Sequence, residues 1–314
     1  MSETRGSARV LDGVAIAAEI KAEVAGEIEE LKAAGVVPGL AVVLVGEAPA
    51  SAIYVRSKVK TCGELGIYSE MLTPPETVTT EEMLEIIASL NARDEIDGIL
   101  VQLPLPKHVD TKRLLEAVSP DKDVDGFHPV NAGRLQTGQG GLAPCTPAGI
   151  MEILRRSGIE VAGKSAVVVG RSDIVGKPAA MMLLNASATV TVCHSRTREL
   201  ARYTRDADIL VAAIGRAGFV TEEMVKPGAV LIDVGINRVM DAAEVERFFP
   251  GDEARAAGFR KRGSTVVGDI DPRAFASSSA FTPVPGGVGA LTIAMLMQNT
   301  VTAAKLRRGL PVSR

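Results

Sequence analysis

Tyr54-x-x-x-Lys58 sets a phenol and an amine four residues apart, and on a helix that spacing turns both toward one face. An amine facing a low-dielectric site beside another cation holds its proton less tightly than free lysine, whose pKa is about 10.4, and then serves acid–base work. Gln102 ends the apolar strand DGILVQ just before a double-proline turn, where an amide can orient that lysine or donate to a developing oxyanion. Asp123 and Asp125, in DKDVDGFHPVN, can accept two hydrogen bonds from an amino-substituted heterocycle or, on the plainer reading, cap a loop. His128 and His194 have no Ser or Cys beside them in a triad pattern.

A second constellation lies about 110 residues further on, where SAVVVGRSDIVGKP runs from Ser165 to Pro178 as strand, glycine turn and helix. The amides of Gly170, Arg171 and Ser172 and the positive end of the helix can face a pyrophosphate, although the spacing is not G-x-G-x-x-G. Cys193-His194-Ser195-Arg196-Thr197 follows the next strand, where an NAD enzyme places an acid against the ribose 2'-hydroxyl. Ser195 and Arg196 replace that acid, and Arg171 adds a second positive charge, so NADP is expected rather than NAD. Gly215, Gly235 and Gly268 each end an apolar strand and are read as room for cofactor and backbone to approach.

The elements that must hold these groups alternate. Helix-period apolar residues from Val14 to Leu31 precede the strand GLAVVLVG; a helix capped by Ser51, a strand over 67–72, the capped helix TTEEMLEIIASLN and the strand DGILVQLPLP follow. Thr146-Pro147 opens a linking helix closed by Gly158, with Thr146 as N-cap. SAVVVG, ATVTVC, ADILVAAIG, GAVLIDVG and STVVGDID then make five apolar strands of a doubly wound domain ending near Asp271. The charged stretch 238–263 reads as a surface insertion, and 290–306 as a Met- and Ala-rich helix that returns to the first domain.

The fold expected is therefore two-domain α/β with a cleft between: a catalytic domain over 9–146 plus 289–314, and a Rossmann-like, doubly wound NADP-binding domain over 147–288. The 35 Lys+Arg against 38 Asp+Glu, with no basic tract, argue against nucleic acid. No apolar run is long enough to span a bilayer, and MSETRGSARVLDG lacks the apolar centre of a secretory signal. A soluble cytoplasmic protein with a loose arm of eight or so residues is expected. Cys62, Cys145 and Cys193 show no metal-ligand or disulfide spacing and are read as buried thiols; no metal is expected.

Taken in order, Pro49-Ala50-Ser51, Tyr54-x-x-x-Lys58, DGILVQLPLP, PDKDVDGFHPVNAGRL, PCTPAG, GRSDIVGKP, ATVTVCHSRT, DVGIN and TPVPGGVG resemble the bifunctional methylenetetrahydrofolate dehydrogenase/cyclohydrolase family, from about Val10 to Ala304. The resemblance implies oxidation of 5,10-methylenetetrahydrofolate with NADP and hydrolysis of the methenyl product to 10-formyltetrahydrofolate. It implies Lys58 as catalytic lysine of the hydrolysis, Gln102 as its partner, Tyr54 as the ring stacked on the folate and Asp125 as the carboxylate on the pterin. Ser51, Pro283 and Gly287 are implied on the substrate, and Gly170, Arg171, Ser172, Ser195, Ile236 and Thr282 on the cofactor, with Gly215 and Arg196 added from the strand-end readings. It also implies a homodimer and a place in purine biosynthesis.

Two departures stand out: Ala290-Leu291 replaces the usual Pro-Met, and the charged segment after Asn237 is longer than usual. A short-chain reductase also uses Tyr-x-x-x-Lys but puts its glycine fingerprint first. A shikimate-dehydrogenase-like enzyme shares the domain plan without the folate motifs. A non-enzymatic NADP sensor has no need of Tyr54, Lys58, Gln102 and Asp125 together.

Overall fold

A computed structural model describes residues 8–46 and 49–312, so residues 1–7 of the expected arm and the side chains of Pro49 and Ala50 lie outside the described residues. Contacts divide the chain into two units, one of Ala17–Cys145 with residues 292–312, the other of residues 8–16 with Thr146–Leu291. This differs from the expected start of the catalytic domain at residue 9. Strand β1 (Arg9–Val10) pairs parallel with Ala280 and Phe281, and the Arg9 guanidinium donates to the Ser157 carbonyl at 2.8 Å. Two residues are too few to show a period, so nothing in the sequence marks them as a strand. The division falls inside helix α1 (Gly13–Ala33).

The lysine-bearing unit is built on three parallel strands, β2 (Gly39–Val43), β3 (Tyr68–Leu72) and β4 (Gly98–Val101), in the order β3-β2-β4. All of β2 and β4 is buried, which explains their unbroken apolar runs. Helices α2 (Pro49–Leu65) and α3 (Thr80–Ala92) are the crossovers, followed by α4 (Thr111–Ala117) and α5 (Pro129–Gln136). Met83, Ile87 and Leu90 of α3 pack on Val43, Ile99 and Val101. A capping box starts α3: Thr79 accepts from the Glu82 amide, and the Glu82 carboxylate accepts from the Thr79 amide at 2.8 Å. Ser51 is not the cap of α2, which begins two residues before it.

After residues 8–16 the dinucleotide unit resumes in α6 (Cys145–Arg156), so Thr146 lies within that helix rather than capping it. Then come β5 (Ser165–Val169), α7 (Gly176–Asn185), β6 (Thr189–Cys193), α8 (Leu200–Thr204), β7 (Ile209–Ala212) and β8 (Val230–Asp233). Next follow β9 (Asn237–Val239), α9 (Ala242–Phe248), α10 (Glu253–Arg262), β10 (Thr265–Val267), β11 (Ala280–Phe281) and α11 (Val288–Arg307). The main sheet is parallel, in the order β1-β11-β8-β7-β5-β6.

The strand expected in STVVGDID is absent from that sheet: β10 pairs antiparallel with β9, and β11 and β1 take the outer places. The domain therefore continues past Asp271. The charged stretch between β9 and β10 is more than a surface excursion, because Val239, Val245, Phe248 and Val267 bury a small core of their own.

From Thr292 onward α11 belongs to the lysine-bearing unit. There Asn299 Nδ2 donates to the carbonyls of Val124 and Ala143, both at 2.8 Å, and Lys305 pairs with Glu27 at 2.6 Å. No helix among the described residues is long and apolar enough to cross a membrane.

Candidate active site

Lys58 lies one turn after Tyr54 on α2, and the two differ sharply in exposure: the Tyr54 ring is 52% exposed while Lys58 is 9%. Lys58 Nζ donates to Gln102 Oε1 at 3.0 Å, and Gln102 Nε2 donates to the Leu103 carbonyl at 2.7 Å. That second bond fixes which way the amide points, because only its nitrogen can donate to a carbonyl. Gln102 sits where β4 ends and is held by its own amide on the Val43 carbonyl, 2.9 Å away. A helix face and a strand end thus deliver an ammonium with one side-chain partner and donor capacity to spare.

Of the two readings left open by the sequence, loop capping holds for Asp123 and not for Asp125. Asp123 accepts from the amides of Phe127 (3.2 Å) and His128 (2.8 Å) and from Asn131 Nδ2 (2.9 Å), so it holds its own loop. Asp125 accepts no hydrogen bond from any of the described residues. Burial pushes its carboxyl up to about 6, with the Lys58 ammonium opposing the rise and Asp123 adding to it. Its oxygens remain free for a donor-rich ligand.

Two neighbouring groups are structural. Lys122 Nζ donates to the carbonyls of Leu90, Asn91 and Arg93 at 3.1, 2.8 and 2.6 Å, and burial draws it down to about 8. Cys145 is buried, donates to the Val124 carbonyl and is raised well above the usual thiol range by burial. All three cysteines are buried free thiols. His128 caps α5 through Nδ1, which accepts from the Val130 amide at 3.1 Å. Ser51 is partly buried in the first turns of α2.

In the dinucleotide unit, β5 runs on one side to β6 and on the other to β7, so the sheet reverses direction beside the end of β5. Ligands of open α/β sheets bind outside the strand C-termini at such a reversal. Gly170 stands there with φ +133°, and a Cβ on it would lie 2.1 Å from the Ala213 carbonyl oxygen, so only glycine fits. Ser172 Oγ accepts from the amides of Val175 and Gly176, both at 3.2 Å, capping α7. The amides of residues 171–174 have no acceptor among the described residues and lie at the positive end of α7, and the Arg171 and Ser172 side chains are exposed. This cradle fits a dinucleotide phosphate.

After β6, the Thr197 hydroxyl accepts from the His194 amide at 2.9 Å and His194 Nδ1 accepts from the Arg196 amide at 3.2 Å. His194 is therefore part of the turn, while Ser195 and Arg196 are exposed. Gly215 (φ +71°) is exposed after β7, and Ile236 is 54% exposed. Thr282 differs from expectation. It is fully buried, and its hydroxyl accepts from the Asp233 amide at 2.8 Å, so its side chain is committed inside the fold. Gly287 is also buried, with no room for a Cβ against the Pro283 carbonyl, whereas Pro283 is partly exposed.

Sequence reasoning missed the carboxylates beneath these strand ends. Asp269, fully buried, accepts from the amides of Ile214 (2.5 Å), Gly215 (2.9 Å) and Arg216 (2.8 Å) and from Asn237 Nδ2 (2.9 Å). Asp233 accepts from the amides of Gly235, Asp269 and Ile270 at 2.8–2.9 Å, and burial still pushes it up to about 7. Gly235 and Gly268 are small for these acids and not for a ligand: Cβ atoms there would fall within 2.4 Å of Asp269 and 1.8 Å of Asp233. The available signal was an aspartate at or beside each of these two glycine-flanked strand ends, in DVG and GDID.

Comparison with known proteins gives a consistent answer. The profile described as tetrahydrofolate dehydrogenase/cyclohydrolase, catalytic domain, matches residues 11–125, and that of the family's NAD(P)-binding domain matches residues 144–308. The bifunctional protein FolD of Koribacter versatilis is 66% identical over 302 residues, 96% of this chain and 98% of that protein. The crystal structure of the bifunctional FolD dehydrogenase/cyclohydrolase from Campylobacter jejuni is 45% identical, with a TM-score of 0.87, covering 96% of this chain and 100% of that one. The Trypanosoma brucei enzyme, solved with NADP cofactor and inhibitor, is 38% identical with a TM-score of 0.86, covering 96% and 99%. With both profiles matched and these relatives aligned along nearly its whole length, the chain belongs to the tetrahydrofolate dehydrogenase/cyclohydrolase family.

Proposed function

We propose that Lys58 is the proton carrier of the chain's hydrolytic reaction and that Gln102 aims it. The chain oxidises 5,10-methylenetetrahydrofolate to 5,10-methenyltetrahydrofolate with NADP and hydrolyses the methenyl form to 10-formyltetrahydrofolate. In the hydrolysis, water adds to the methenyl carbon, the bond from that carbon to N5 breaks, N5 takes a proton and one proton is released. As the neutral amine, Lys58 Nζ takes a proton from the attacking water, and the ammonium so formed passes one on to N5. The observation that carries this reading is the 3.0 Å bond from a nearly buried lysine nitrogen to an amide whose orientation the Leu103 carbonyl fixes.

Asp125, free of donors among the described residues, accepts from the pterin; the exposed Tyr54 ring stacks on it, and Ser51 adds a further substrate contact. When bound, NADP supplies the hydride acceptor. Gly170, Arg171 and Ser172 hold its pyrophosphate at the end of α7, Ser195 and Arg196 take the 2'-phosphate, and Gly215 and Ile236 lie along the cofactor.

A homodimer, a cytoplasmic setting and a role in purine biosynthesis belong to the same reading. An edge strand, β6, with Val192 40% exposed and Leu184 of α7 51% exposed, is the surface that favours a second copy.

The test is Lys58→Ala. Methenyl hydrolysis should fall by about 10²–10⁴-fold while NADP binding and the melting temperature hold. Full hydrolysis in this variant would remove Lys58 from the chemistry.

A further inference from the structure

The 214–216 turn follows β7, and the close approach of Ala213 to Gly170 places it beside the phosphate cradle. Its three consecutive amides converge on one carboxylate, that of Asp269. Such a nest of amides is an anion site, and the left-handed Gly215 is the residue that lets successive N–H groups point the same way. Here the anion is internal. A carboxylate offers about four acceptor positions, and the fourth is filled by Asn237 Nδ2. Asp269 therefore has nothing left to offer a ligand, and its fourth donor is the neighbour of the exposed Ile236. Two segments read as lining the cofactor are thus fastened to one buried group.

We propose that Asp269 is a positioning residue for the dinucleotide, its carboxylate holding the 214–216 turn and, through Asn237, the Ile236 segment in the shape that receives the cofactor. This rests on the NADP reading given above. The size of Gly268 and Gly235 fits the same device, since the Asp233 carboxylate packs against Gly268 and accepts the Asp269 amide, fixing the backbone from which Asp269 projects. In Asp269→Asn an amide nitrogen replaces one acceptor and faces backbone donors, so the turn must release at least one of them.

The experiment is calorimetric titration of NADP into wild type and Asp269→Asn, with methenyl hydrolysis assayed in the same preparations without NADP. The variant should bind NADP about tenfold more weakly or worse, while hydrolysis stays within about twofold of wild type. NADP affinity within about twofold of wild type, or a parallel fall of affinity and hydrolysis, would overturn the assignment. Should Asp269→Asn fail to fold, Asn237→Ala removes one donor from a partly exposed position and should weaken NADP by about threefold; unchanged affinity there overturns the proposal equally. Wild type that takes up no NADP would instead sink the cofactor reading itself.

Discussion

Asp269 is a fully buried carboxylate and Asp125 a partly buried one, and they differ in what surrounds their oxygens. Asp269 is saturated by four donors. Asp125 has none among the described residues and is pushed up to about 6. The lysines of one unit divide in the same way: Lys122 spends three donors on carbonyls, while Lys58 spends one on Gln102. Burial alone does not mark a functional charge. Unspent hydrogen-bonding capacity in a partly buried group does, because it leaves acceptors or donors open to a ligand in a setting that already disfavours the bare charge.

The contrast breaks most visibly at Asp125. Asp125→Asn should weaken folate by about ten- to hundredfold, read as KM in both reactions, and leave NADP affinity unchanged. The same variant has a stability signature. The folded carboxyl sits near 6, above its free value of about 3.9, so the native state holds this proton more tightly. Its contribution is complete below about pH 4 and is lost as pH rises through 6. Asp125→Asn should therefore melt higher than wild type at about pH 7.5, with the gain vanishing near pH 4. A lower melting temperature at the higher pH would mean that Asp125 is partnered after all.

Arg196→Ala sharpens the contrast on the exposed side of the dinucleotide unit. It should raise KM for NADP by about tenfold and leave NAD almost untouched, since only the 2'-phosphate needs the guanidinium. Equal losses for the two cofactors would mean that Arg196 never meets that phosphate. Lys122→Met has the smallest effect on catalysis: it strands three carbonyls, costing about 2 kcal/mol in urea unfolding, with kcat of either reaction unchanged. A selective loss of hydrolysis would place Lys122 among the working groups and erase its difference from Lys58.

Much of this was readable from residues alone. Lys58 and Gln102 stood out because helical spacing and a strand end each point a side chain in a known direction, and Gly170 because a strand-to-helix turn demands a small residue. The strands β1 and β11 were not readable, being two residues each, and β10 left the expected sheet because its pattern does not say which edge it will join. The Asp269 device escaped for a different reason. Its partners are mostly backbone amides 53–55 residues earlier, and amides carry no residue type to recognise. Thr282 was placed on the cofactor by the resemblance, which carries over a position but not the partner of its hydroxyl, here the Asp233 amide.

Lys58→Arg tests the proton-carrier role most directly, because arginine keeps the positive charge and the reach but does not give up its proton near neutral pH. Assayed in one preparation, the variant should oxidise 5,10-methylenetetrahydrofolate with NADP at a rate within about tenfold of wild type and lose methenyl hydrolysis by about 10²-fold or more. Hydrolysis retained with arginine at this position would mean that a fixed charge is enough and that no proton passes through Lys58.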